Sequence, residues 1–522
     1  MSGRFIANLL QALQVNREKV CVVDSAASGL EHATVMTFGE LESRTLNLAA
    51  ELQRRFDTPA HGDHVVLGIA TRNSSDWLVA DLACLFAGIT ALPLPLAFSQ
   101  AQAEHLAARC DGFLVDAAGE RTLAERWMLD FPESRLRRLS EPALEQPLLR
   151  EPDAVSDWIC KIIHTSGTTS RPKGVRLSTA AVGAVLNSLR QKMPVDSHRR
   201  YLSLVPLSLL LEQVTAAYLP LLAGGTVYFL PEGEPLLGEP GTSPQRLIAW
   251  TLRVEPTALT VPPVMLNRFY EQLAQGDAQS DHLSRYLHSG VHITCGGAAV
   301  SIDILNALAE DGIPVFQGYG LSENASVVSM NTAQHQRLGS VGKPLPHVQV
   351  RIGADQTIEV KSSSLFSGYS GKDPSACSMS DDGWMDTGDL GELDADGYLY
   401  VRGRKKNVIC LPNGRNVSPE QVELEYREFP GVRDAAVFFD ETHGLVALLC
   451  VESAPDRDEL ASWSTRRFSD IERPSRLWLL TKDDPLLEQL YTVTGRPKRA
   501  DIATIFADLQ GNAADEHACL SL

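Results

Sequence analysis

The stretch Ile162-Ile-His-Thr-Ser-Gly-Thr-Thr-Ser-Arg-Pro-Lys-Gly-Val175 sets the terms on which the rest of the chain is read. Its apolar lead-in predicts a strand. Five hydroxyl residues, two glycines and a lysine follow within ten positions. Hydroxyls, unhindered backbone N–H groups and an ammonium are what a loop needs to hold a polyphosphate. From Gly167 the spacing is Gly-x5-Lys-Gly with no Gly-Lys-Ser/Thr, so this is not a Walker A loop. A plain polar surface loop has the same composition, and the segment needs support from the rest of the chain.

On either side, helical and strand patterns alternate. Phe38 to Phe56 carries apolar residues at helical spacing, His64-Val-Val-Leu-Gly-Ile-Ala reads as a buried strand, and Trp77 to Ala87 reads as a helix stopped by Gly88. Tyr201-Leu-Ser-Leu-Val, Gly225-Thr-Val-Tyr-Phe-Leu and Thr257-Ala-Leu-Thr-Val continue the rhythm. Strands alternating with helices predict an α/β fold, a parallel or mixed sheet covered on both faces. From Ser340 to Val401 short strands with Gly and Pro turns predict a β-rich subdomain. Gly403-Arg-Lys-Lys-Asn reads as a turn, and a small α+β unit completes the chain, with a loose tail from Gly511 onward. The expected division is a large N-terminal domain, residues 1–405 with the β-rich part at about 340–402, and a small mobile C-terminal domain, residues 406–522.

The composition bounds the function. The 522 residues are 44% hydrophobic and 21% charged, which excludes a collagen-like, coiled-coil or wholly disordered chain and allows about three folding units. Acidic residues outnumber basic ones 65 to 47, for a formal net charge of −18. The summed field would repel nucleic acid and anionic membranes, so a phosphate ligand must be held by a local basic or amide-lined site. The nine cysteines are odd in number and form no Cys-x-x-Cys pair, which argues against a disulfide framework or zinc site and for a reducing, cytoplasmic setting. The start is too interrupted by Asn8, Gln11 and Gln14 to be a secretory signal, and no apolar run is long enough to span a membrane. Cys519-Leu-Ser-Leu fits a prenylation box in form but lacks a polybasic partner.

Three further segments share a phosphate-and-sugar character. Gly318-Tyr-Gly-Leu-Ser-Glu323 brings an aromatic ring, flexible backbone, a hydroxyl and a carboxylate within six residues. A base could stack on Tyr319, and Glu323 could hold Mg²⁺ against phosphate oxygens. Asp386-Thr-Gly-Asp389, expected at a turn, offers a carboxylate to ribose hydroxyls, and Gly403-Arg404-Lys405-Lys406 supplies positive charge in an acidic chain. Singly, each has an equally good structural reading: a packed Tyr, a turn aspartate, a solvated basic turn.

Together, in this order and spacing, TSGTT-x-x-PKG, YG-x-S-E, TGD and GR-x-K resemble the adenylate-forming superfamily, which includes acyl-CoA synthetases, peptide-synthetase adenylation domains and luciferase. The resemblance runs from Ala87-Gly-Ile-Thr-Ala-Leu-Pro to Thr494-Gly-Arg-Pro-Lys-Arg499. It also takes in Cys295-Gly-Gly-Ala-Ala, Gly339-Ser-Val-Gly-Lys-Pro-Leu-Pro and Asn413-Gly-Arg-Asn-Val-Ser-Pro-Glu-Gln-Val-Glu423.

The resemblance implies ATP and Mg²⁺ as cofactors and CoA as co-substrate. It implies that Thr165, Ser166, Gly167, Thr168, Thr169 and Lys173 hold the β- and γ-phosphates, and that Gly296, Gly297, Ala298, Gly318, Tyr319 and Gly320 line the nucleotide site. Ser322 would meet the α-phosphate, Glu323 the metal, and Asp389 with Arg404 the ribose, with Lys406 as hinge. The family's C-terminal lysine, which bridges carboxylate and α-phosphate, has no simple counterpart, because its Gly-Lys step is here Gly495-Arg496. A guanidinium is not a compact ammonium, and Lys498 is expected to take the role before Arg496. Ser170 and Leu209 also depart from the family, which usually has Gly and His there. If the position of Ser170 needs a positive φ, serine is strained in it.

Leu209, Leu210 and Leu211, with Val261 on another wall, predict a pocket for an apolar acid, selected at about 25 cal/mol per Å² removed from water. The same leucines would serve equally to pack a core. The segment Val205–Glu212 and the stretch from Asn413 to Pro419 most resemble medium- or long-chain acyl-CoA synthetases. Three functions are therefore expected in competition: a CoA ligase for a fatty or other apolar acid, a ligase loading a carrier protein's phosphopantetheine, and a nucleotide-binding protein that has lost catalysis.

Overall fold

The computed structural model describes residues 4–521 except 57–64, 144, 146, 147, 149, 152–156, 165–172, 240, 299, 371–378, 412–415, 441, 482, 483, 492–496, 500, 503 and 507–517. A seven-stranded mixed sheet runs Tyr369–Ser370, Gly174–Ser178, Ile159–His164, Thr90–Pro93, Val66–Ala70, Gly112–Val115, Leu136–Arg138. Its central parallel strands, Thr90–Pro93, Val66–Ala70 and Gly112–Val115, are largely apolar and almost wholly buried, as strands covered on both faces must be. The predicted helices are present as Phe38–Arg55 and Ser75–Ala87. The first opens with a capping box in which Thr37 and Glu40 satisfy each other's backbone donors.

A nine-stranded sheet runs Lys343–Pro344, Ser326–Met330, Val315–Leu321, His292–Cys295, Ala258–Val261, Arg200–Ser203, Thr226–Phe229, Val20–Ala26, Gly29–Thr37. The first hairpin of the chain thus joins the sheet built by residues 200–344, pairing in parallel with Thr226–Phe229. No local pattern announces such a pairing, because it joins residues some two hundred positions apart. Between the two sheets, Lys161 forms an ion pair with Asp81, and Asp81 accepts the Tyr218 hydroxyl at 2.5 Å. Both charged side chains are buried, at 2% and 1% exposure, so deleting either would strand the other's charge.

The β-rich part is a four-stranded antiparallel sheet, Val348–Ile352, Thr357–Ser362, Met385–Leu393 and Leu399–Arg404. Two short segments of the same stretch of sequence leave it: Lys343–Pro344 pairs into the nine-stranded sheet and Tyr369–Ser370 into the seven-stranded one. Asp386-Thr-Gly-Asp389, expected at a turn, lies inside the strand Met385–Leu393. The turn-like hydrogen bonds are real but local, from Gly388 N to Asp386 and from Asp389 N to the Thr387 hydroxyl, and they kink a strand that continues. Arg404 likewise ends a strand, and the turn is confined to Lys405–Asn407.

The C-terminal part forms a separate sheet, Val432–Asp440, Gly444–Val451, Arg476–Thr481 and Ala518–Ser521, with its own apolar clusters. The expectation of a loose tail is corrected at its end: Ala518–Ser521 pairs antiparallel with Arg476–Thr481. A sheet edge offers unpaired N–H and C=O groups, and a strand can add there without a hydrophobic pattern to signal it. Among the described residues no helix is long and apolar enough to cross a membrane. Cys21, Cys84, Cys110, Cys160, Cys295 and Cys450 are buried free thiols.

Candidate active site

Thr165, Ser166, Gly167, Thr168 and Thr169 lie outside the described residues, as does Ser170. Both ends of their loop are described. His164 ends one strand and Gly174 starts the next; His164, Gly174 and Ser370 stand in one cross-strand row. A Cβ on Gly174 would sit 2.1 Å from Ser370 Oγ and 2.8 Å from His164 Nε2, so no larger residue fits the middle of the row. Lys173 is exposed, its ammonium 5.2 Å from the centre of the Tyr369 ring. The Tyr369 hydroxyl donates to Glu323 Oε1 at 2.7 Å. The strand Tyr369–Ser370 therefore brings Lys173 and Glu323 to one place.

Four residues before Glu323, Tyr319 donates its hydroxyl to Asp389 Oδ2 at 2.7 Å, and Arg404 Nε reaches Asp389 Oδ1 at 2.8 Å. Burial, and then the Asp389 charge, push the Tyr319 hydroxyl well above its ordinary pKa and keep it a donor. Both carboxylate oxygens are thus engaged from within the protein, with lone pairs left for a further donor. Beside this clamp, Gly296 follows the strand His292–Cys295, and a Cβ on it would be 3.0 Å from the Gly318 carbonyl oxygen. Gly297 and Ala298 continue from there. These groups stand at the C-terminal ends of adjacent parallel strands, where open α/β sheets bind ligands.

The chain then turns sharply. Ser322–Asn324 is a 3₁₀ turn, and Ala325 and Ser326 follow with φ of 50° and 109°. Non-glycine residues in such conformations cost about 1–3 kcal/mol each and persist where the surroundings hold them. Glu323 Oε2 has no protein partner among the described residues, which also contain no group of three or more His, Cys, Asp or Glu side chains able to hold a metal. A half-buried carboxylate with one bonded and one open oxygen fits Mg²⁺, which takes one or two carboxylates and completes its shell with phosphate and water.

Lys406 is exposed on the turn Lys405–Asn407. Arg496 lies outside the described residues. Lys498 is held within the C-terminal part, its backbone N–H donating to Leu490 O at 2.7 Å, just after a bridge between Tyr491 and Pro497. The next residue, Arg499, makes two bonds of 2.9 and 2.8 Å to the buried Glu423.

Of the predicted acyl wall, Leu210 and Val261 are 4% and 1% exposed and pack in two different apolar clusters, whereas Leu209 and Leu211 are half-buried. The segment is set by a polar core. Asn73 donates to Ser203 Oγ and Val205 O at 2.9 and 2.8 Å and accepts from Leu207 N, and Ser203 donates to Glu212 Oε1 at 2.7 Å. Burial pushes the Glu212 carboxyl up to about 8, against the hydrogen bonds that lower it.

Sequence reading singled out neither Tyr369 nor Asn73. Tyr369 follows Gly368 in the β-rich stretch, and its role depends on pairing with a strand two hundred residues earlier.

A glycine-lined cleft at strand ends, a Tyr–Asp–Arg clamp and a Lys–Tyr–Glu cluster thus stand together along the segment from Gly318 to Glu323. The chain belongs to the AMP-binding enzyme family, whose model matches residues 9–369. It is 30% identical over 347 residues to the 2-succinylbenzoate–CoA ligase of Geobacillus kaustophilus, covering 62% of this chain and 65%, just under two thirds, of that ligase. It is 28% identical over 473 residues to the feruloyl-CoA synthase of an Amycolatopsis species, covering 86% of this chain and 91% of the relative. To the long-chain-fatty-acid–CoA ligase FadD15 of Mycobacterium bovis it is 25% identical, covering 78% and 75%. The fold matches o-succinylbenzoate CoA synthetase of Bacillus subtilis, solved with ATP and magnesium, with a TM-score of 0.75 at 22% identity over 95% of this chain and 99% of that one.

Proposed function

We propose that this chain is an AMP-forming acid–CoA ligase for an apolar, fatty or arylalkyl acid. In the first step a carboxylate oxygen bonds to the α-phosphorus of ATP as the bond to the β-phosphate oxygen breaks, and pyrophosphate leaves with that electron pair. In the second the sulfur of CoA bonds to the acyl carbon, AMP departs with the acyl-oxygen electron pair, and the thiol proton goes to solvent.

The observation that carries this reading is the pair of clusters joined by the segment from Tyr319 to Glu323: Tyr319–Asp389–Arg404 on one side and Lys173–Tyr369–Glu323 on the other. A nucleotide laid along that segment would have its ribose against Asp389 and Arg404, its α-phosphate at Ser322 and its outer phosphates at Lys173 and the 165–169 loop. The base would lie on Tyr319 beside Gly296, Gly297, Ala298, Gly318 and Gly320. When bound at Glu323, Mg²⁺ would supply positive charge against the phosphate oxygens. Attack by one anion on another is opposed by repulsion, so the site's fixed cations must offset it. We assign the last of these to the segment carrying Arg496 and Lys498, with Lys498 first, delivered by rotation about Lys406 between a large domain ending near residue 405 and a small one beginning there.

Relatives acting on succinylbenzoate, ferulate and long-chain fatty acids support an acid with a large apolar part, and their names favour CoA over a carrier-protein thiol. The half-buried Leu209 and Leu211 suit such a substrate. A cytoplasmic setting fits the buried free thiols. AMP release measured with a panel of aliphatic and aromatic acids, each with and without CoA, tests the reading. Release that requires both acid and CoA supports it; release equal in all arms rejects it.

A further inference from the structure

We propose that His347 is a positioning residue for Glu323, acting through a chain of hydrogen bonds that fixes the strained turn after it. The inference rests on the reading of Glu323 as the metal-binding carboxylate.

The chain begins on the helix Thr179–Lys192, which follows the phosphate-loop hairpin. Ser188 Oγ lies 2.7 Å from His347 Nδ1, and His347 Nε2 lies 2.9 Å from Ser364 Oγ. Ser364 donates to Asn324 Oδ1 at 3.0 Å, and Ser362 donates to the same oxygen. Asn324 Nδ2 donates to Val327 O at 3.0 Å across the turn. Asn324 and Ser364 are fully buried.

Ser364 Oγ also lies 3.1 Å from Ser362 Oγ, which ties the two serines that bond Asn324 to each other. Burial lowers the His347 pKa to about 4, which keeps the ring neutral at neutral pH, with one ring nitrogen a donor and the other an acceptor, so the ring passes one hydrogen bond on to Ser188 and one to Ser364.

The object held is the residue next to Glu323. Asn324 spans the turn from Ser362 and Ser364 on one side to Val327 on the other, and between them lie Ala325 and Ser326 with their positive φ angles. A backbone in such conformations relaxes unless its neighbours restrain it. Glu323 is also tied through its carbonyl oxygen, which accepts from Phe366 N at 2.8 Å, and through Tyr369 at its carboxylate. Loss of the His347 chain would leave the carboxylate chemically intact but free the turn that aims it. Groups that orient metal ligands typically account for ten- to a hundred-fold of metal affinity.

The test compares His347→Leu, which breaks the chain, with His347→Gln, which keeps one donor and one acceptor. Two readouts are independent of turnover: Mn²⁺ affinity of the enzyme–ATP complex by electron paramagnetic resonance, and hydrogen exchange of the Ala325 amide, which bonds Ser322 O at 3.0 Å, in ligand-free protein. His347→Leu is expected to weaken Mn²⁺ binding about tenfold and to speed Ala325 exchange by a similar factor, with His347→Gln restoring both to within about threefold. If His347→Leu does not fold, Ser188→Ala, which removes only the far partner, is expected to shift both readouts in the same direction. Both readouts within twofold of the parent in the folded variant overturn the proposal. Glu323→Gln separates the premises: unchanged Mn²⁺ affinity in that variant refutes the metal reading of Glu323, whereas weakened affinity there with none in His347→Leu refutes the positioning chain alone.

Discussion

Tyr369 gives its hydroxyl proton to Glu323 at 2.7 Å while its ring faces the Lys173 ammonium at 5.2 Å. One side chain from the edge of the seven-stranded sheet thereby joins a cation flanking the hydroxyl-rich loop to a carboxylate on the nine-stranded sheet's side of the cleft. The site is assembled by strand pairing.

Glu323→Gln is expected to fold normally and to reduce adenylation at least about tenfold, because it removes the charge that a metal would meet. Tyr369→Phe removes one hydrogen bond to a charged group, about 1.5–3 kcal/mol, and is expected to raise the Mg²⁺ concentration needed for half activation. Magnesium titrations of both variants check this; unchanged curves would take Glu323 out of the reaction.

Asp389→Ala is expected to raise the ATP KM by an amount equivalent to about 1.5–3 kcal/mol, leaving the acid KM within twofold. It also leaves Tyr319 and Arg404 without their shared acceptor, so thermal unfolding should be recorded beside the kinetics. An effect on the acid KM alone would contradict a ribose role.

Lys498→Ala is expected to abolish acyl-adenylate formation while thioester formation from supplied acyl-adenylate survives, with Arg496→Ala milder. The anchoring of Lys498 next to Arg499 and Glu423 gives the reverse outcome a definite meaning: a severe Arg496→Ala with a mild Lys498→Ala would place the guanidinium in the bridging role. Single-turnover measurement of each half-reaction distinguishes the two.

Glu212 makes stability depend on pH. Its folded pKa of about 8 lies above the ordinary 4.5, so between these values the folded state holds a proton that the unfolded state has lost. Stability from this group therefore falls as pH rises from 4.5 to about 8. Glu212→Gln, which mimics the protonated form, is expected to flatten that part of the profile; urea midpoints at a series of pH values, with parent and variant compared, would show the same slope in both if the group were ionised when folded.

Much of this was legible in the sequence because it was local. The helices Phe38–Arg55 and Ser75–Ala87 show in their periodicity, and the strand before the hydroxyl-rich loop in its apolar run. Tyr319, Asp389 and Arg404 were readable as candidates, and the structure puts all three in contact. What escaped the sequence was non-local. Asp389 looks like a turn residue because Thr387 and Gly388 have turn chemistry, yet the strand runs through them. Tyr369, His347 and Ser364 become site residues only through partners far away in the chain. The leucines from 209 to 211 were ambiguous for a different reason: a core and an apolar pocket ask for the same residues, and here Leu210 goes to the core while its neighbours remain half-buried.

Acid-dependent exchange of labelled pyrophosphate into ATP, run without CoA on a panel of aliphatic and aryl acids, reads the adenylating half-reaction alone. Exchange is expected to require acid and Mg²⁺, to be fastest with an apolar acid, and to fall at least about tenfold in Glu323→Gln. ATP binding without exchange for any acid, in protein shown to be folded, would contradict the proposed ligase activity.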